Sequence, residues 1–309
     1  MIQYLIKRFF SNALALFVIV TITFFLMKAI PGDPFTQEKA LPKEILESLY
    51  EHYKLNDPWY IQYLNYLKSI ARWDLGPSFK YKARTVNDII NNGFPISATL
   101  GLEALLIALS CGIFLGSIAA LKQHRWQDHT AMIVAVIGIS VPSFILAAFL
   151  QYLFAIKLDL LPVARWGTFQ QSILPALALA ALPTAFIARL TRSNMLEVLS
   201  MDYIKTARAK GLSDTVVIFK HGLRNALLPV VTYLGILTAN ILTGSFIIEK
   251  IFGIPGLGQW FINSVTNRDY TVIMGLTVFY SMILLTSIFL VDMIYGWIDP
   301  RIKVGKRGN

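Results

Sequence analysis

The sequence predicts an all-α polytopic membrane protein: six helices that cross a bilayer, with a small helical segment outside the membrane after the first. Three observations carry that prediction. Of 309 residues, 55% are hydrophobic and 15% charged, where a soluble domain carries about 25% charged residues, and the mean hydropathy is +0.57. The apolar residues fall in blocks of roughly 20, the length a helix needs to cross a hydrocarbon core. Lys and Arg gather on alternate flanks of those blocks.

The first block runs near 9–30, between Lys7/Arg8 and Lys28, and ends in KAIPGDP without a small-residue cleavage site. It reads as a retained span rather than a signal peptide. The segment 31–95 that follows is long and mixed. Pro42 to Tyr53 reads as a short helix, and a second follows in NDPWYIQYLNYLKSIARW. There Asp57 can cap a helix with Pro58 at its first position, and Trp59, Tyr63, Tyr66/Leu67 and Ile70 repeat at helical spacing. DLGPSF (74–79) reads as a turn.

Five further spans follow near 97–121, 131–156, 170–191, 227–248 and 271–292, with Glu249 and Lys250 closing the fifth and Trp297 following the sixth at an interface. Prolines punctuate them at Pro142, Pro175, Pro183 and Pro229. A proline inside a membrane helix frees a carbonyl that a neighbour or water must satisfy, which suits a helix lining a path. Pro142 and Pro183 are the path candidates.

Sidedness follows from counting. Lys7, Arg8, Lys122, Arg125, Arg189, Arg192, Lys205, Arg208, Lys210, Lys220, Arg224, Arg301, Lys303, Lys306 and Arg307 lie on one set of flanks. The opposite short loops hold Lys157, Arg165, Lys250 and Arg268. Basic residues favour the cytoplasm, so both termini and the stretch 192–227 are expected inside, and 31–95 outside. The same rule explains the net charge of +10 without nucleic acid.

The stretch DYIKTARAKGL (202–212) is a small basic helix between two apolar spans. Ala207 and Ala209 favour helix, Gly211 suits the left-handed position that ends one, and Ser213 can cap the next. Thr206, Ala207, Ala209 and Gly211 are small enough to admit a close partner surface. The competing reading is an interfacial helix whose lysines meet anionic lipid.

DYIKTARAKGLSDTVVIFKHGLRNALLPV (202–230) resembles the cytoplasmic coupling loop of ABC importer permeases, in the variant of the oligopeptide/dipeptide (and nickel) family. PGDPF (31–35), LGPSF (75–79), PISATL (95–100), SVPSF (140–144), RLTRSNMLEVL (189–199) and FGIPGLGQWFINSV (252–265) extend the resemblance over nearly the whole chain, in order. The overall match is to the "B" permease subunit. One departure is that the triplet expected as Glu-Ala-Ala is Lys205-Thr206-Ala207, with Pro229 further along than usual; the dipeptide-type loop is similarly stretched.

The resemblance implies a type I ABC importer permease fold, divided into an N-terminal span (1–30), an external cap (31–95), a five-helix core (96–296) with its coupling loop (192–227), and a cytoplasmic tail (297–309). It implies that Lys205, Thr206, Ala207, Arg208, Ala209, Lys210 and Gly211 dock on a cytoplasmic ATPase. Gly253, Pro255, Gly256 and Gly258 would form a loop beside the external gate. The implied partners are a homologous second permease, two ATPase subunits that bind ATP and Mg, and an external binding protein delivering peptide. The chain itself would hold no cofactor and sit in the cytoplasmic membrane of a prokaryote.

The residues also limit the alternatives. GIPGLGQW (253–260) lacks the Lys-Ser/Thr that a phosphate loop places after its last glycine. Its bland reading is a tight glycine turn. The four histidines, His52, His124, His129 and His221, are scattered, and the single Cys111 permits no disulfide within the chain; it reads as a small packing residue. No nucleophile–base set or carboxylate pair is evident, so an embedded enzyme is not expected. An ion-gradient carrier would carry a chain of intramembrane carboxylates, and only Glu103 and the boundary residue Asp292 qualify. Glu103 is therefore the third path candidate. GIFLG (112–116) has the spacing of a close helix contact. Nickel or its chelate is the alternative cargo to peptide.

Overall fold

A computed structural model describes residues 2–30, 43–81 and 83–298. PGDPF, the rest of 31–42 and the tail from 299 lie outside the described residues. Among those described, the chain is helical apart from its turns and one isolated bridge between Pro77 and Thr85.

The elements are α1 (Ile2–Ala29), α2 (Lys43–His52), α3 (Trp59–Ala71), α4 (Val86–Leu121), α5 (Trp126–Ser140) and α6 (Ser143–Leu150), which runs on as a π-helical turn to Lys157. After it come α7 (Phe169–Ser200), α8 (Asp202–Ala209), α9 (Asp214–Val216), a π-helical turn over Val217–Leu223, and α10 (Arg224–Ala226). The chain closes with α11 (Leu228–Leu242), α12 (Phe246–Phe252), α13 (Leu257–Thr266) and α14 (Tyr270–Ile298). Four helices are long and apolar enough to cross a membrane singly, and two bent pairs bring the number to six if each pair is one span.

Several boundaries move from their expected places. The second span begins at Val86, because Thr85 and Asp88 form a reciprocal capping box there. The expected division between cap and core at 95/96 therefore falls inside α4. The third span is not one helix. It bends by 107° between Ser140 and Ser143, where Val141 adopts an extended conformation. Pro142 sits at the N-cap of α6, a position where a missing N–H costs no helix bond. Pro229 likewise stands in the first turn of α11. Only Pro175 and Pro183 of the four lie inside a helix, both buried in α7. The fifth span ends at Leu242, so Glu249 and Lys250 lie on the separate helix α12. Asp57 does not cap α3; Pro58 holds that position, and the Asp57 carbonyl accepts from the Gln62 side chain at 2.6 Å.

The core is organised on a seam between α4 and α7. Small residues repeat down α4 at Gly101, Ala104, Ala108, Gly112, Gly116 and Ala119, all buried; of these Gly101 closes on Ile241 of α11, and Gly112 and Gly116 close on α7. A Cβ at Gly112 would lie 2.8 Å from Ile187 Cβ, and one at Gly116 would overlap the Ala188 carbonyl. The GIFLG spacing is thus a true backbone-to-helix contact, the arrangement membrane helices use where hydrophobic burial gives no drive. Cys111, by contrast, is exposed on α4 and not part of that packing. The α5 and α6 helices pack on α7, α11 on α4 and α14, and α1 on α14. Arg8 and Asp292 form an ion pair across the last of these contacts.

α3 lies against the C-terminal half of α1. Phe24 stacks on Tyr66 and meets Tyr63 at a tilt, Phe25 meets Tyr63 and Trp59 at a tilt, and Thr21 Oγ1 shares a 2.7 Å hydrogen bond with Tyr63. The 74–81 turn closes on the first residues of α14. Buried Asp269 accepts from the Ser78 hydroxyl and from the Phe79 N–H at 3.2 Å.

Candidate functional site

Two elements at opposite ends of the α4–α7 seam carry the sequence-predicted site residues. At one end, α7 runs to Ser200 and passes directly into α8 through Met201. Ile204 and Ala207 turn inward and form a small core with Val217 and Leu199. Tyr203 adds polar ties, accepting from Asn225 Nδ2 at 2.9 Å. Lys205, Thr206, Arg208, Ala209, Lys210 and Gly211 remain exposed. Ala207 is thereby a packing residue within the chain, and the surface open to another protein consists of the other six. Gly211 has φ +76, with open space where a Cβ would stand. Ser213 occupies the N-cap position of α9 without a side-chain hydrogen bond. Arg208 lies 3.6 Å from Asp214, and Lys205 2.8 Å from Asp202, both exposed pairs.

The same end holds a contact that the sequence reading missed. Arg192 of α7 grips Asp128 of α5 with two bonds of 2.6 and 2.7 Å, and the His124 N–H adds a third at 3.0 Å. The Asp128 side chain is 3% exposed. Arg189, one turn earlier, is exposed and makes no ion pair among the described residues. It borders a cleft of about 610 Å³ between α5 and α7, lined by Met132, Leu182, Phe186 and Ser193.

At the other end lies the glycine loop. Gly253 ends α12 in the left-handed region, φ +62, and Gly256 stands at the N-cap of α13. Glu249, which the sequence reading took for a span-closing charge, is fully buried beneath this loop. Its Oε1 accepts from Ser97 Oγ at 2.8 Å, and its Oε2 from the Gln259 N–H at 3.3 Å. The N–H groups of Gly258 and Ser245 act on the same carboxyl. Ser97 Oγ in turn accepts from the Leu257 N–H at 2.8 Å. The first N–H groups of a helix have no partner within it and together favour negative charge. Here Leu257, Gly258 and Gln259, the first three residues of α13, are all engaged by Ser97 and Glu249. Burial is the larger influence and holds the Glu249 carboxyl above its ordinary value, with these donors opposing it.

The loop therefore does close around an acidic group, the chain's own Glu249 carboxyl. The glycines make room for it. A Cβ at Gly244 would come 2.5 Å from Glu249 Oε1, and one at Gly256 2.6 Å from its Cδ. Gly253, Pro255, Gly256 and Gly258 lie together in the one loop between α12 and α13. Glu103, Pro142 and Pro183 are not brought together. Glu103 is half-buried on α4 with no hydrogen bond or ion pair among the described residues, Pro142 is exposed at the α5–α6 bend, and Pro183 is buried in the α7 core. No group of three His, Cys, Asp or Glu side chains among the described residues could hold a metal.

Up to six helices or bent helix pairs are long and apolar enough to cross a membrane, with an exposed short helix at one end and a glycine loop closed on Glu249 at the other. The chain belongs to the family of binding-protein-dependent transport system inner membrane components: that family's profile matches residues 112–304, and its N-terminal counterpart matches 1–101. It is 54% identical over 308 residues, covering all of both chains, to the dipeptide transport system permease protein DppB of Bacillus subtilis. It is 46% identical over 305 residues, 98% of this chain and 100% of the other, to the oligopeptide permease OppB of Salmonella typhimurium. Among solved structures, the MetNI methionine ABC transporter in an inward-facing form aligns with TM-score 0.57 at 19% identity, over 68% of this chain and 96% of that one. An amino acid ABC transporter aligns with TM-score 0.53 at 18% identity, over 68% and 94%. The fold is that of ABC importer permeases.

Proposed function

We propose that the chain is one half of a permease pair that passes dipeptides or oligopeptides into a prokaryotic cell across its cytoplasmic membrane. The full-length match to a dipeptide permease carries this reading. The distribution of Lys and Arg supports an orientation with both termini and α8–α10 in the cytoplasm. The glycine loop and α2–α3 then lie outside. The division into a first span (1–30), an external cap (31–95), a core (96–296) with its coupling loop (192–227) and a tail (297–309) goes with that orientation, with Val86 to Pro95 serving as the outer turns of α4.

In this reading a homologous second permease supplies the other half of the path. Two cytoplasmic ATPase subunits bind ATP and Mg, and the chain contributes no catalytic group to hydrolysis. An external binding protein releases peptide near Gly253, Pro255, Gly256 and Gly258. The exposed face of α8 docks on the ATPase: Ala209 and Gly211 permit close approach, and Lys205, Arg208 and Lys210 border them. Because α8 follows α7 after a single residue, a push on α8 moves the α4–α7 seam. Glu103 and the α5–α6 bend at Pro142 are the parts of the path available to peptide, and Pro183 acts from within α7.

The test is Ala209→Glu in the intact complex, read as uptake of labelled dipeptide together with recovery of the ATPase subunits in mild detergent. A carboxylate forced into a close contact costs several kcal/mol unless it is paired. Uptake and ATPase recovery should both be lost while membrane insertion is retained. Normal uptake by a well-inserted variant would sink the docking assignment.

A further inference from the structure

The Glu249 carboxylate joins four separate pieces of chain. Ser97 belongs to α4. Gly244 and Ser245 form the break after α11, and Gly244 itself has φ +90. Glu249 is on α12, and Gly258 and Gln259 open α13. The donors converge on both oxygens, the residue is completely buried, and a Cβ at Gly244 or Gly256 would collide with the carboxyl group, while one at Gly258 would collide with the Phe246 backbone. A buried carboxylate could simply be a packing feature. Its placement argues for more, because α11 follows directly on the coupling segment through Leu227. The break at Gly244 is where motion of α11 would otherwise be dissipated before reaching the loop.

The geometry points to Glu249, with Ser97, as the joint that transmits movement of α11 to the loop over Gly253–Gly258, so that α12, the loop and α13 move with the outer end of α4 as one body. Glu249 is a positioning residue for transport, acting through the loop rather than on the cargo. The inference rests on the importer reading above and adds to it the element that connects coupling to the gate. An amide in place of the carboxylate keeps the volume but presents N–H groups to backbone N–H groups, so at least one of the loop's bonds is lost. Ser97→Ala removes the hydroxyl that links the Leu257 N–H to Glu249 Oε1.

The experiment uses the reconstituted complex with its ATPases and binding protein. Peptide transported and ATP hydrolysed are measured together for wild type, Glu249→Gln, Ser97→Ala and the double variant. Because wild type must transport for any comparison to exist, failure of the importer reading is seen separately. Expected are complexes that assemble and hydrolyse ATP at a near-normal rate but move about tenfold less peptide per ATP, the effect of one lost buried hydrogen bond. The double variant should be no worse than Glu249→Gln alone. Unchanged peptide per ATP in both single variants overturns the joint. So does failure of both to assemble, which would make Glu249 a packing residue only.

Discussion

Gly116→Ala probes the seam on which both ends of the molecule depend. A Cβ at 116 would lie 2.7 Å from Thr191 Cβ and overlap the Ala188 carbonyl. Carbon atoms rest near 3.5 Å or beyond, so α7 must retreat from α4 by about 0.8 Å at this level. Neither obstacle can swing away, because one is backbone and the other a Cβ. Overpacking of this kind costs about 1–3 kcal/mol. Gly222→Ala is the control: its nearest neighbour is the end of the Leu199 side chain at 3.2 Å, which can adjust, so the cost stays below about 1 kcal/mol. Thermal unfolding of the purified chain in one detergent, run on both variants, measures the difference. Gly116→Ala should unfold earlier and lose uptake beyond its loss of folded protein, since α7 leads straight into α8. Equal stability of the two variants would refute a backbone-contact seam.

Two further outcomes follow from the ion pairs. Asp128→Ala leaves Arg192 with a partly buried charge and no carboxylate, so stability should fall by about 3 kcal/mol, while Arg192→Ala combined with Asp128→Ala should recover part of it; denaturation of wild type and the two variants checks this. Arg8→Ala removes a half-exposed pair with Asp292 and should cost at most about 1 kcal/mol, with the charge-reversed pair Arg8→Asp/Asp292→Arg restoring wild-type stability in the same assay.

The helical class was legible because bilayer length and charge asymmetry act on every span at once. The short elements were harder. The Ser140–Ser143 bend was invisible as a bend because the residues on both sides are uniformly apolar, and apolarity reports burial in lipid without reporting direction. Pro142 was noticed, but a proline reads the same inside a helix as at its start. Glu249 was misread for a related reason. At the end of an apolar run and beside Lys250, it has the appearance of a charge at the membrane boundary. Only the return of Gly256–Gln259 and Ser97 to its side reveals a buried carboxyl with its donors. Asp128 and Asp269 were missed likewise, since their partners Arg192 and Ser78 are far away in sequence. The exposed face of α8 was readable from small and basic residues, but not the inward turn of Ala207, which depends on Val217 in the next helix.

The placement of rigid and soft segments bears on how such a molecule moves. α4 has 36 residues and α7 has 32, about 54 and 48 Å of helix, and their closest approach is at Gly112 and Gly116 of α4. Close backbone contact resists sliding, because each small residue fits one position on the neighbouring helix. The pair therefore favours tilting as a unit over internal shear. Irregularity falls in other places, among them the 107° bend of α5–α6, the π-helical turn at Val217–Leu223, and the Gly244 break. The first gives way beside α7, the second lies between α8 and α11, and the third is bridged by Glu249. A push delivered to α8 thus meets a stiff seam in one direction and, through α11, a break that a single buried carboxylate holds together.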